Sequence, residues 1–180
     1  MIEHFIGKSK EFIHARLIIL IFIFFIGCVS GWIYEEIFYY VSENWIGNRG
    51  FMYGPYLPVY GVGAVLMALL LHKYKKYPWI VFIMGMLITG IVEYITGWGM
   101  WQIWKHRWWD YTGLFMNIDG FVCLRSVFTF ALGGLALIYV VEPLEEYIVS
   151  CMKQKTAWFI CIIGISIMLI DFIITIFTRY

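Results

Sequence analysis

Charge is what this sequence has least of. Its 180 residues include 13 Lys and Arg and 12 Asp and Glu, so charged side chains make up only 14% of the chain. Soluble globular domains draw about a quarter of their residues from that set. A content of 62% hydrophobic residues, with mean hydropathy +0.80, exceeds what one soluble core of this size could hide. The formal net charge of +1 removes the electrostatic basis for binding nucleic acid. Proline is rare, at 4 residues, which leaves long stretches free to continue as helix. The 4 cysteines, Cys28, Cys123, Cys151 and Cys161, form no CxxC pair and read as small packing residues. No ligand spacing marks a metal site, and no phosphate loop, nucleotide motif or nucleophile–base pairing is visible, so neither a cofactor nor a catalytic residue is assigned. No A-x-A-like site follows the first apolar run, so that run is not read as a cleavable signal. Repeats, low-complexity segments and domain linkers are missing too.

What is present is a series of apolar runs. The reading is an all-α integral membrane protein forming a single transmembrane domain over residues 1–180, with about five transmembrane helices and two interfacial amphipathic helices. A surface helix over 1–15 ends at Arg16, and spans follow at about 17–40, 58–71, 78–104, 120–141 and 157–177. Pro58 and Pro78 suit the first turn of their helices. Pro143 is expected to break the fourth span, with a second surface helix over 144–154 beyond it. The second span is short, and the turn-rich segment before it, carrying Gly47, Gly50, Gly54 and Pro55, is expected to dip into the membrane. Such a dip is tolerated only where protein or water satisfies the backbone. Five of the nine tryptophans lie between positions 98 and 109. Trp98, Trp101, Trp104 and Trp108 share one helical side beside Lys105, His106 and Arg107, which suits the membrane–water boundary.

Ionisable residues inside spans are costly and usually face protein or a wet cavity. Gly27, Gly31 and Glu35 step by four, and small residues at that spacing let helix backbones approach. Glu35 is therefore expected to point into the bundle, and Glu36 outward with Trp32. Comparable stripes carry Glu93 with Thr89, Gly90 and Gly97, Arg125 with Thr129 and Gly133, and Asp171 with Gly164, Thr175 and Thr178. Counted along the helices at ~1.5 Å per residue, these four charges converge on the outer half of the bilayer. One polar cluster is expected there, formed by Glu35, Arg49, Tyr60, Glu93, Asp110, Tyr111, Asn117, Asp119, Arg125 and Asp171. Gly50, Gly54, Pro55, Gly61 and Gly120 shape its loops. Arg125 is expected within salt-bridge reach of Glu93 or Asp119. His4, His14 and His72 are read as solvated on the inner side. The competing reading makes the charges a structural ion-pair network that holds a small bundle together.

A run of motifs is familiar in combination: Gly31-Trp32-Ile33-Tyr34-Glu35, Asn48-Arg49-Gly50-Phe51, Tyr53-Gly54-Pro55, Pro58-Val59-Tyr60-Gly61-Val62-Gly63, Glu93-Tyr94, Trp109-Asp110-Tyr111-Thr112 and Asn117-Ile118-Asp119-Gly120 with Cys123-Leu124. From about Gly31 to Gly134 the chain resembles the small bacterial membrane proteins of the putative ABC-transporter type IV family, the CmpB-like permeases. The resemblance implies a multi-pass protein of the bacterial plasma membrane with a transport role. It leaves open an ATPase or other membrane subunit as partner beside membrane lipid, and also a homo-oligomer. No ATPase motif stands in this chain.

Three functions compete on the residues alone: a permease or substrate-capture subunit with an outward-facing polar site; a membrane-embedded enzyme acting on a lipid-linked or interfacial substrate, with Glu35, Glu93 or Asp110 as acid or base; and a structural or regulatory subunit whose surface helices dock a partner. The orientation follows from basic residues. Lys8, Lys10, Arg16, Lys73, Lys75, Lys76, Lys153 and Lys155 fall on one side, against Arg49, Lys105, Arg107, Arg125 and Arg179 on the other, so the N-terminus is expected inside and the C-terminus outside. In a variant freed of its own cysteines, a cysteine at Lys75 is predicted to be shielded from impermeant reagent in intact cells, while one at Gly113 reacts. The reverse labelling would overturn the orientation.

Overall fold

The computed structural model describes residues 2–43, 47 and 50–179, and of residues 2–10, 12, 42 and 43 the backbone only. Among these residues the chain is helical, with one isolated antiparallel bridge between Ile118 and Val122. The helices are α1 (Ile2–Glu43), α2 (Pro58–Leu71), α3 (Pro78–Trp104), α4 (Leu124–Ala136), α5 (Glu142–Cys151) and α6 (Gln154–Arg179). Four helical stretches are long and apolar enough to cross a membrane: Ile13–Val41 within α1, α3, Leu124–Cys151 and α6. The 14 residues of α2 fall short of that length. At ~1.5 Å per residue they cover ~21 Å of a hydrocarbon layer ~30 Å thick.

The loop before α2 reaches back to the middle of α1. The Leu57 amide donates to the Cys28 carbonyl at 3.0 Å, and Cys28 lies midway along the apolar part of α1. From that level α2 runs antiparallel to α1, until Arg16 Nη2 reaches the Ala68 carbonyl at 3.4 Å. The two helices approach closely because small residues face each other. A Cβ on Gly27 would lie 2.9 Å from Ala64 Cβ, and one on Gly61 would lie 2.4 Å from Cys28 Sγ. Ile19, Ile23, Ala64, Met67, Ala68 and Leu71 continue the contact into a core shared with Val81, Ile88, Leu137 and Ile138. Helix α6 packs more lightly, through Ala157 and Cys161 against Ile18, and through Gly164 under the Phe25 ring.

Three local expectations are corrected. Arg16 does not end a helix: α1 is continuous from Ile2 to Glu43. No proline or glycine interrupts the chain at that point, and the Arg16 charge is met by protein instead. Pro143 does not break the fourth span. It follows a π turn, Leu137–Val141, and the helix carries on into α5. A proline ring clashes with the carbonyl four residues back, and a π turn widens the helix there, which removes the clash. Lastly, the acids of α5 do not face water as those of a surface helix would, although its apolar side is turned outward. Leu144 and Tyr147 are exposed, while Glu142 and Glu145 are 2% and 3% exposed.

The buried acids explain that orientation. Glu142 Oε1 accepts from Arg16 Nη1 at 2.8 Å. On its other oxygen, His72 Nδ1 lies at 3.0 Å, close enough for an ion pair when the ring is protonated though not aligned as a hydrogen bond. His72 therefore stands beside the Arg16–Glu142 pair that joins α1 to α5, with its side chain still partly exposed. It comes together with Glu142 and Glu146, but Arg16 already supplies the positive charge there, 3.8 Å from Glu146 Oε1.

The α1–α2 contact makes a prediction. Gly61→Val should destabilise by about 1–3 kcal/mol, as overpacking does, because its Cβ also meets the Phe24 carbonyl at 2.7 Å. Gly99→Val, where a Cβ meets nothing within 4 Å, should not. Thermal melting in detergent reads the difference, and equal shifts would refute the tight interface.

Candidate functional site

A cavity of about 660 Å³ lies inside the bundle, reaching from Trp108 and Trp109 in the loop after α3 to Val141 at the end of the π turn. Its walls are mostly carbon: Ile26, Met67, Phe130, Leu137 and Phe172 are among the residues lining it. Among the described residues, the charged side chains in the lining are Glu35 and Glu93.

Each acid is met by a tyrosine hydroxyl. Tyr60 Oη donates to Glu35 Oε1 at 2.7 Å. The Tyr60 ring fits over Gly31, where any Cβ would stand 2.2 Å from its Cγ, and its other contact is edge-on to Phe130 with centroids 5.0 Å apart. Glu93 is only 4% exposed. Its Oε1 accepts from Tyr111 Oη at 2.8 Å and its Oε2 from Ser126 Oγ at 2.7 Å. Ser126 Oγ also lies 2.9 Å from the Cys123 carbonyl. A hydroxyl has one proton, and the shorter contact to a carboxylate is the stronger bond. The same oxygen accepts from the Cys123 amide at 3.2 Å, tying off a free donor at the start of α4. Burial first, then the adjacent Glu93 carboxylate, pushes the Tyr111 hydroxyl well above its ordinary range, so it remains a donor.

Other residues expected in the cluster have different duties. Asp110 is exposed and accepts from the Thr112 hydroxyl at 2.6 Å, the Thr112 amide at 2.9 Å and Arg107 Nη1 at 3.1 Å. The Thr112 bonds, with Arg107 adding to them, hold its carboxyl below the usual carboxylate range. Asn117 accepts from the Gly120 amide at 3.2 Å and donates to the Leu114 carbonyl at 2.9 Å. Asp119 has φ 53° and accepts from Tyr94 Oη at 2.8 Å. Gly120 has φ 73°, and a Cβ there would lie 2.4 Å from Arg107 Nη1 and 2.6 Å from Thr112 Oγ1. These residues build the loop that lowers Tyr111 onto Glu93.

Asp171 is likewise a clasp. Its Oδ1 accepts from the Tyr53 amide at 3.2 Å, and its Oδ2 from the Gly54 amide at 2.8 Å and from the Tyr56 hydroxyl. Pro55 is exposed at the tip of that turn. Gly50, at φ 108°, passes where a Cβ would stand 2.3 Å from Leu57 Cδ2. Gly61 belongs to the α1–α2 contact, and Arg49 lies outside the described residues.

Arg125 is a correction. It is exposed, its guanidinium stands 5.0 Å above the Phe38 ring, and no ion pair joins it to Glu93 or Asp119 among the described residues. Neighbouring residues on a helix point ~100° apart, and Ser126 takes the direction that Arg125 was expected to take. The tryptophan stripe divides as well. Helix α3 ends at Trp104, with Lys105 left-handed as its cap. Trp98 is exposed, whereas Trp104 and Trp108 turn to the cavity mouth and pack edge to face with each other and around Phe51. Ser126 and Phe130 were not singled out from sequence, and Trp104 was read only as part of the boundary stripe. Only Ser126 left a signal, a hydroxyl at the third position of a helix.

The model of the family described as putative ABC-transporter type IV matches residues 22–176. This chain belongs to that family. No curated protein and no solved structure matches it. The family description, with four helices able to cross a membrane, makes the chain a multi-pass membrane protein of the ABC-transporter type. The matched range takes in α2 to α5 whole, the second half of α1 and most of α6, and with them the cavity, its two acids and the loop clasp.

The Tyr111–Glu93 bond can be measured. Hydrogen bonds to charged groups are worth about 1.5–3 kcal/mol, so Tyr111→Phe and Glu93→Gln should couple by roughly that amount in a double-mutant cycle on unfolding. Additive effects would mean that the bond does not hold the loop.

Proposed function

We propose that this chain is the membrane subunit of a transporter, a permease or substrate-capture component, and that the cavity between α1, α2, α3 and α4 is its substrate site. The observation that supports the reading is the cavity itself: about 660 Å³, apolar-walled, with two carboxylates projecting into it. Small-molecule sites have this make-up, a mainly apolar lining with a few placed polar groups. A purely structural charge network looks different, as the Arg16–Glu142–His72 cluster at the other end of the bundle does. There Glu142 is met by the guanidinium of Arg16, while Glu93 is held by two neutral hydroxyls.

In this reading the protein lies in the bacterial cytoplasmic membrane with its N-terminus inside, the loop and α2 together making the second crossing, and the C-terminus outside. The cavity mouth, beneath the tryptophans of the 105–123 loop, then opens outward. Energy comes from a separate ATPase or another membrane subunit. Asp110, bonded within the outer loop, has no place in the cavity, which weakens the enzymatic alternative that used it as acid or base.

The test is a structure of the protein extracted with native lipid. Ordered ligand density between Tyr60, Glu93 and Trp108 is expected. Lipid density continuous with the bilayer and nothing else would leave the cavity a packing defect. Glu35 and Glu36 provide a further check, since Glu35 lines the cavity and Glu36 is not part of its lining. Glu35→Gln should reduce retention of the co-purified ligand at least several-fold, with Glu36→Gln at the wild-type level by mass spectrometry. Equal losses would refute the assignment of sides.

A further inference from the structure

The chemistry of the cavity narrows what it takes. We infer that its ligand is an amphipathic organic cation: a bulky apolar body with a single ammonium-type charge. This inference rests on the cavity being the substrate site.

Three observations carry it. The charged side chains in the lining, among the described residues, have one sign, Glu35 and Glu93. Glu93 is 4% exposed, and its partners, Tyr111 and Ser126, are hydroxyl donors that bring no compensating charge. The rest of the wall is mainly apolar and carries aromatic rings, with Trp104, Trp108 and Phe130 in the lining.

The physical consequences run in one direction. A carboxylate out of water is stabilised only in part by two neutral hydrogen bonds, and a cation placed beside it relieves the remaining cost of desolvation. Aromatic faces attract a cation through their quadrupole, most strongly where water is excluded. The same groups disfavour an anion of equal size: it would meet two carboxylates and the negative faces of rings. A strongly hydrated inorganic cation would lose its water to a mainly carbon wall and regain few oxygen ligands. An organic cation with a weakly hydrated, dispersed charge avoids that loss. Its apolar body has space to lie along Met67, Ala136 and Leu137, below the acids. A volume of about 660 Å³ is in the range of sites for drug-sized ligands.

A pair of ions equal in shape and opposite in sign separates charge from hydrophobicity. Binding of tetraphenylphosphonium and tetraphenylborate would be measured by equilibrium dialysis on the full chain in lipid nanodiscs, with protein-free nanodiscs of the same lipid subtracted. The wild type is expected to bind the phosphonium at least tenfold more tightly, a difference of about 1.4 kcal/mol. Glu93→Gln should bring the ratio close to one, and Glu93→Asp should keep it well above one. Gly133→Trp should abolish binding of both ions. Gly133 lines the cavity and a Cβ there meets nothing within 4 Å, so the indole would fill the space without displacing the helix. A wild-type ratio of one or less overturns the cation assignment whether or not the Glu93 variants fold. If Gly133→Trp still removes binding in that case, the cavity survives as a binding site and only its charge preference is lost. If both ions bind a folded Gly133→Trp as they bind the wild type, the cavity is not the site, and the transport reading falls with the inference.

Discussion

The carboxylate of Asp171 fixes the level at which much of the rest is built. It gathers the Tyr53 and Gly54 amides and the Tyr56 hydroxyl, so that an irregular segment is held against α6 with its donors satisfied. Backbone that is not helical survives at membrane depth only when protein or water meets its polar groups. Once the turn is pinned there, Leu57 reaches the Cys28 carbonyl, Pro58 begins α2, and Tyr60 comes over Gly31 to Glu35. The second irregular segment, residues 105–123, follows the same rule with its own residues. Arg107, Asp110, Thr112 and Asn117 close it around Gly120, and Tyr111 is delivered to Glu93.

The polar residues thus divide into three groups that composition could not separate. Glu35 and Glu93, with Tyr60 and Tyr111, face the cavity. Asp110, Asn117, Asp119 and Asp171 hold loops in shape, and their hydrogen bonds are made mainly with near neighbours or with backbone amides. A third set, Arg16, His72 and Glu142, ties together the opposite end of the bundle.

Local signals in the sequence carried the helical membrane class, the helix starts at Pro58 and Pro78, and the inward side of Gly27, Gly31 and Glu35. Each depends on periodicity or on a residue's intrinsic geometry, and neither needs knowledge of a distant partner. The misreadings have the opposite character. The burial of Glu142 left no local mark because its partners come from α1 and the end of α2, 126 and 70 residues away. Pro143 looked like a stop because a π turn four residues upstream leaves no mark in composition. Arg125 missed Glu93 by one position: a stripe argument fixes the side of a helix only to within one residue, and near a helix start the backbone angle decides which neighbour turns inward. That Trp104 and Trp108 would face a cavity was illegible for another reason. The break at Lys105 takes Trp108 off the helix on which the stripe was drawn.

The shortness of α2 has a consequence for how freely this family could vary. A helix that began at the membrane surface would run through the space now shared by the 50–57 turn and the outer part of the cavity. Each residue added at its start would push the helix end ~1.5 Å further into that space, so two turns would close much of the room above Tyr60. The hollow is, in this sense, the part of a helix that is missing. Insertions just before Pro58 should therefore be tolerated as loop and selected against as helix, and the proline there, which favours a helix start over a helix interior, guards the boundary.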